Sequence, residues 1–128
     1  MSALVDMPYA RFLGLTEREQ DGAVIVTLPF AEALIGNPVL PALHGGATAA
    51  LLEITATVQV AATWPGARLP KPINVSVAYL RSGRPQDVHA RARIGKAGRR
   101  VAYVLAEAWQ DDPANPIATL TAHFLLAS

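Results

Sequence analysis

The sequence predicts an α+β chain in which one long central helix is wrapped by a highly twisted antiparallel sheet of about five or six strands. Two observations carry this reading. Only one long run has helical character, Gly46 to Trp64, and it holds a single ionisable residue, Glu53. Strand-like runs flank it, two before and four after, bounded by Gly, Pro, Asn or Asp. A helix that is apolar or small on every side is expected to be buried all round. A flat sheet covers only one side of such a helix, whereas a strongly twisted sheet curls around it and a second copy of the chain covers what remains.

Taken in order, the chain opens with a short helix expected over Met7 to Leu15, where Pro8 suits a helix start and Phe12 and Leu13 provide apolar anchors. Asp21-Gly22, set between Thr16–Gln20 and Ala23–Leu28, marks a two-stranded hairpin. Phe30 to Leu43 is a connection rich in breakers, with Gly36-Asn37-Pro38 and Pro41. After the long helix, Pro65-Gly66, Pro70 and Pro72 stop it. Ile73 to Leu80 and Val88 to Ile94 alternate apolar with polar residues and read as half-buried strands. Val101 to Trp109 and Ile117 to Leu126 are more apolar and read as central strands, joined by a turn over Asp111 to Pro116. No repeat or low-complexity tract interrupts the chain, and 1–128 reads as a single domain.

Composition narrows the function classes. Hydrophobic residues make up 52% and charged residues 16% of the chain, which favours apolar surface covered by another subunit. A formal net charge of +1 gives no electrostatic case for nucleic acid or an anionic membrane as partner. The absence of cysteine excludes a disulfide framework and thiolate chemistry, and it accords with a cytoplasmic setting. Residues 1–6 lack both a basic region and a sustained apolar stretch, so no secretory signal is expected. Glu53, Gln59 and the threonines make the central run a poor membrane span. Three scattered histidines do not have metal-ligand spacing, and no metal is expected.

Two features of the central run bear chemistry. A carboxylate inside so apolar a helix is expected to have a partner or a catalytic task, which makes Glu53 a candidate general base, nucleophile or structural ion-pair member. Gly45-Gly46 leaves the first turn free of side chains where helical N–H groups lack partners. It suits either a carbonyl oxygen acquiring negative charge or simply a tight entry to the helix. Glu53 lies 53 − 46 = 7 residues beyond Gly46, roughly 10 Å along the axis, too far for one small carbonyl to touch both. An antiparallel second copy of the helix would bring Glu53 of one subunit to the Gly45-Gly46 end of the other, which requires a two-fold dimer.

His44-Gly45-Gly46 followed nine positions later by an acid (53 − 44 = 9), with a strand-rich second half, resembles the hotdog-fold acyl-CoA thioesterases of the phenylacetate-degradation type. The resemblance covers nearly the whole chain. It implies that Gly45 donates its N–H to the thioester carbonyl while Glu53 of the partner subunit attacks or activates water. It also implies a dimer or dimer of dimers and an acyl-CoA substrate, with no cofactor beyond the coenzyme A that the substrate carries. An asparagine shortly before His-Gly-Gly holds the thioester or water in that family; Asn37 is the candidate here, with an Asn-Pro turn as its ordinary alternative. A hydroxyl or carboxyl at the start of the strand after the helix is replaced by Pro72, leaving Thr57, Asn74 or Ser76 as substitutes. His44 is expected to orient the loop by a hydrogen bond rather than act as a base. Gly46 lines the substrate site.

Arg81 and Arg84 after one strand, and Arg99 and Arg100 at the next turn, are candidates for the phosphates of coenzyme A, to which forked guanidinium donors are suited; solvated turns are the alternative. His89 is expected to be solvated and His123 to sit in the core. Two rival functions stand beside hydrolysis. One is acyl-CoA binding or scaffolding without turnover, suggested by Pro72. The other is a hotdog enoyl-CoA hydratase, hinted at by Gly36-Asn37-Pro38 but opposed by Gly36 where that site needs an aspartate and by the distance to His44.

Overall fold

A computed structural model describes residues 3–66 and 69–126. A 3-10 turn over Ala3–Asp6 leads into helix α1 (Pro8–Leu13), which has Pro8 in its first turn. Strands β1 (Thr16–Gln20) and β2 (Ala23–Leu28) form the expected hairpin. Asp21 and Gly22 both have positive φ, 53° and 79°, the backbone twist that a two-residue turn between right-twisted strands demands. The connection predicted to be irregular contains a 3-10 turn (Glu32–Leu34) and a small second sheet of β3 (Ile35–Asn37) and β4 (Ala42–Leu43). Then come helix α2 (Gly45–Thr63) and strands β5 (Lys71–Tyr79), β6 (Val88–Ala97), β7 (Val101–Trp109) and β8 (Ala118–Leu125).

The main sheet has six strands in the order β1-β2-β6-β7-β8-β5, every neighbouring pair antiparallel. As predicted, β7 and β8 are interior. The sheet can close around α2 because the positions facing the helix are mostly small: Ala90, Ala92, Ala102, Ala106, Ala108, Ala118 and Ala122 are all buried. Between them, Leu28, Leu120 and Phe124 interlock with Leu51, Leu52 and Val60 of the helix, so large side chains meet small ones across the layer. No helix among the described residues is long and apolar enough to cross a membrane.

The helix is not buried all round. Gly46, Ala49, Ala50 and Glu53, spaced i, i+3, i+4, i+7, form a stripe that the sheet leaves open, and the Glu53 side chain is exposed in the single chain. The sheet wraps the flanks of α2, but α2 packs mainly on β6, β2, β7 and β8, leaving β5 largely uncovered. The two edge strands differ. β1 is polar and exposed along its length, while β5 exposes Ile73, Val75 and Tyr79.

The sheet face turned away from α2 is a polar and aromatic mosaic. Arg91 donates to Glu107 at 2.8 Å and lies over the Trp109 ring. His89, expected to be solvated, is half-buried beside Trp109, with Nδ1 2.8 Å from Thr27 Oγ1. His123 also lies on this face rather than in the core, its ring against Tyr103 and its Nδ1 3.0 Å from Asn74 Oδ1.

Burial, helped by the nearby positive charge of Arg18 and opposed by Asp87, lowers the pKa of His89 below its ordinary value. The unfolded chain therefore binds the His89 proton more readily than the folded one, and the folded state loses stability as pH falls from about 6.5 toward the folded pKa. His89→Gln should flatten that part of the stability profile. Urea melts between pH 4.5 and 8 check it, and an unchanged acid-side slope would mean that other groups set it.

Candidate functional site

The start of α2 is held from several sides. The His44 N–H donates to Leu34 O at 2.7 Å, and the Leu43 N–H to Gly83 O at 2.9 Å, so the residues leading into the helix are tied to the 3-10 turn and to the β5–β6 connection. The backbone of β3 passes close by: a Cβ on Gly36 would lie 3.0 Å from His44 Cα. His44 is the N-cap, its Nδ1 accepting the Gly46 N–H at 2.8 Å, which is the orienting hydrogen bond expected of it. Because Nδ1 accepts, the neutral ring carries its proton on Nε2. The Gly45 N–H, in the first turn and ahead of any intrahelical partner, has no hydrogen bond among the described residues.

Tyr79, at the end of β5 on the face toward the helix, closes one side of this donor. Its hydroxyl donates to Gly45 O at 3.0 Å, and a Cβ added at Gly45 would meet its ring at 3.3 to 3.4 Å. This residue was not singled out from sequence. The available signal was a tyrosine ending an apolar alternation, an aromatic body with a polar tip that seeks a partner. Helix and strand run antiparallel from that contact. Eight helical residues, roughly 12 Å, and four strand residues, roughly 13 Å, bring Glu53 level with Val75. Ala49 and Ala50 flank Glu53 on the open stripe, whereas Ala56, three residues beyond it, is fully buried.

Several expected site residues lie elsewhere. The Oδ1 of Asn37 accepts from the N–H groups of Val39 and Leu40, so the carboxamide oxygen caps its own turn, the ordinary Asn-Pro alternative. The hydroxyl of Thr57 donates to the Glu53 backbone carbonyl at 2.8 Å and is buried, leaving it turned from the Glu53 carboxylate. Asn74 pairs with His123 in register and bonds to it on the face of the sheet opposite α2, and Ser76 has the same parity. No substitute hydroxyl or amide therefore comes from these positions within one chain.

The basic candidates separate into two groups. Arg81 and Arg84 follow β5 at the end of the sheet where α2 starts; Arg84 is paired with Asp111. Arg99 and Arg100 occupy the β6–β7 turn at the other end, and the eight steps of β7 put roughly 27 Å between the two ends. One chain cannot apply both groups to one small molecule at Gly45.

Comparison with known proteins bears on this arrangement. The profile of the acyl-CoA thioesterase N-terminal domain matches residues 37–125, a span that holds the helix start, Glu53 and all four arginines. The chain belongs to the acyl-CoA thioesterase family. Among solved structures, the phenylacetic acid degradation-related protein from Ralstonia eutropha is 28% identical, with TM-score 0.81 over 94% of this chain and 91% of that one. A Chromobacterium violaceum protein is 36% identical, with TM-score 0.80 over 98% and 87%. A Bacillus halodurans protein whose structure contains CoA is 25% identical, with TM-score 0.77 over 98% and 85%. No curated protein matches the chain. The helix and six antiparallel strands of this thioesterase-family chain are thus the hotdog fold predicted from the sequence.

The cap on α2 gives a direct expectation. His44→Ala removes the acceptor of the Gly46 N–H and should lower unfolding free energy by about 1 kcal/mol, within a ~0.5–2 kcal/mol range for lost caps. His44→Asn should restore most of it, because its side-chain oxygen caps the same donor. Urea melts compare the three proteins; equal midpoints would mean that water replaces the cap without loss.

Proposed function

We propose that the chain hydrolyses an acyl- or aryl-CoA thioester to a carboxylic acid and free coenzyme A, each active site being built from two copies. The observation that carries this reading is the unpartnered Gly45 N–H at one end of an open helical stripe whose other end is Glu53. The Gly45 N–H polarises the thioester carbonyl. Glu53 of the second copy either attacks the carbonyl carbon or removes a proton from the water that attacks it. Negative charge gathers on the carbonyl oxygen facing Gly45. In the first case loss of the coenzyme A sulfur leaves a mixed anhydride between the acyl group and Glu53, which water then hydrolyses to free the carboxylic acid and the Glu53 carboxylate; in the second, water adds to the carbonyl carbon and the C–S bond then breaks. In both, the coenzyme A sulfur takes up a proton. A carboxylate, an N–H group and water complete the reaction, with no cofactor beyond the coenzyme A of the substrate. The proposed setting is the cytoplasm.

The second copy is assigned to the free edge of β5, which carries exposed Ile73 and Val75 and no charged residue between Pro72 and Leu80. Antiparallel pairing of two β5 edges places two α2 helices side by side. It also brings the Arg99 and Arg100 end of one chain toward the Gly45, Arg81 and Arg84 end of the other, assembling basic groups for coenzyme A phosphates that one chain holds far apart. Because Glu53 is level with Val75 and Gly45 is in contact with Tyr79, meeting across the interface requires residue 75 to oppose residue 79 of the other copy. The two-fold axis then lies at Val77.

Two experiments test the reading. Thiol release from aryl, short, medium and long acyl-CoAs establishes turnover, and Glu53→Gln should lower it by at least ~10² without loss of fold. Gly45→Pro removes the N–H and presses on Tyr79, disabling the same end of the same chain by either effect. Co-refolding these two inactive variants gives mixed dimers with one doubly damaged and one intact site. Half the dimers are mixed, so about a quarter of wild-type activity should return; confirmed mixing without recovery would reject the shared site. The second test uses the absence of native cysteine. Val77→Cys should form an intermolecular disulfide under mild oxidation, since two residues opposed across an antiparallel pair at an axis have Cα atoms about 4.5–5.5 Å apart, inside disulfide range. Bridging that is instead best at Asn74→Cys would place the axis elsewhere and break the Glu53–Gly45 meeting.

A further inference from the structure

Tyr79 makes two independent contacts with one point of the chain, and they concern different halves of its side chain. The hydroxyl donates to Gly45 O at 3.0 Å, and ring atoms lie 3.3 to 3.4 Å from the position a Cβ on Gly45 would take. Gly45 O and the Gly46 N–H belong to the same peptide unit, and that N–H donates to His44 Nδ1 at 2.8 Å. A continuous chain results: Tyr79 hydroxyl to peptide carbonyl, peptide N–H to imidazole. A carbonyl that accepts a further donor polarises its own N–H, which strengthens the next bond in the chain. The chain fixes the plane of the Gly45–Gly46 peptide from both ends and keeps the His44 proton on Nε2. Despite these ties, 58% of Tyr79 remains exposed, because β5 is an edge strand and α2 covers it only in part.

We propose that Tyr79 is a positioning residue for thioester hydrolysis, holding the first turn of α2 through its hydroxyl and forming with its ring one wall beside the Gly45 donor. This rests on the function proposed above. The ring contact favours glycine at position 45: a Cβ there would leave the N–H in place but require the Tyr79 ring to shift by a few tenths of an ångström. The exposed ring face also lies on the approach to the Gly45 N–H, and it offers apolar, flat surface to an acyl or aryl group whose carbonyl points at that donor.

The test uses thiol release from benzoyl-CoA and hexanoyl-CoA together with thermal melts of the full chain. Tyr79→Phe keeps the ring and deletes one neutral hydrogen bond, which should lower kcat about three- to tenfold, the range set by the net worth of such a bond. KM should change by less than about twofold, because the loss falls on alignment in the transition state. Gly45→Ala should lower both activity and melting temperature in the wild-type background, and should cost nothing further when Tyr79→Ser has already emptied the space beside it. Equal losses from Gly45→Ala in both backgrounds, or an unchanged kcat in Tyr79→Phe, would overturn the assignment. If the wild-type chain releases thiol from no acyl-CoA, the proposed function fails instead. The melting temperatures then decide the Tyr79–Gly45 contact alone, and additive shifts would still overturn it.

Discussion

The constraint on which the rest of this structure depends is the covering of α2. Its buried positions include Leu51, Leu52, Ile54, Val58 and Val60, and each such side chain contributes roughly 1.5–3 kcal/mol when removed from water. That burial requires a partner surface that curves, and the alanine-rich inner face of β6, β7 and β8 provides one by letting the helix axis approach closely. Glu53 then fixes how the helix is rotated within the wrap. Desolvating an ion costs several kcal/mol without a partner, while leaving Ala49 and Ala50 half-covered forfeits little apolar area. The uncovered stripe is therefore the one that holds the carboxylate and the smallest side chains, and the same stripe begins at the glycines of the helix start.

The outer face and the two edges of the sheet are finished in different ways. On the outer face, Arg91, Glu107, Trp109, His89, Tyr103, His123 and Asn74 are linked by hydrogen bonds, an ion pair and ring contacts. At the β1 edge, a row of charged and polar side chains blunts further pairing. Of the two edge strands of the main sheet, β5 is the one that combines an open backbone edge with apolar side chains. An exposed apolar edge therefore lies beside the open stripe of α2, and the proposed pairing of two β5 edges would cover both.

The periodicities made the architecture legible. Asp21-Gly22 gave the hairpin, the prolines gave the end of α2, and the alternation in β5 to β8 gave four strands. Alternation defines two faces without stating which one meets the helix, so it leaves Asn74 and Ser76 open as substitutes near the site, whereas the pairing of Asn74 with His123 puts both on the opposite face. Thr57 is one turn from Glu53 as its spacing says, but a threonine in a helix readily bonds back to the carbonyl four residues earlier, and that local bond wins over the carboxylate. His89 and Trp109, twenty residues apart, meet through the β6–β7 hairpin, whose register shifts between Ile94 and Lys96, so alternation within either strand does not reveal the contact. The exposure of Glu53 had the same origin: the helix run reads as apolar throughout, and only the extent of the wrap decides which stripe stays open.

The Gly45 end of the helix owes its character to where the chain crosses from one sheet edge to the other. β2 lies near one edge and β5 forms the other, so the connection between them must pass over an end of the sheet before α2 can run back beneath it. At that crossing the 3-10 turn Glu32–Leu34, the β5–β6 connection and the last residue of β5 converge: Leu34 O holds the His44 N–H, Gly83 O the Leu43 N–H and the Tyr79 hydroxyl the Gly45 carbonyl, while His44 caps Gly46. Among the described residues these neighbours are bonded and the Gly45 N–H is not. In the reaction proposed for this chain, a donor held in this way would need no rearrangement as charge develops in front of it, which is the condition under which a single N–H group contributes most.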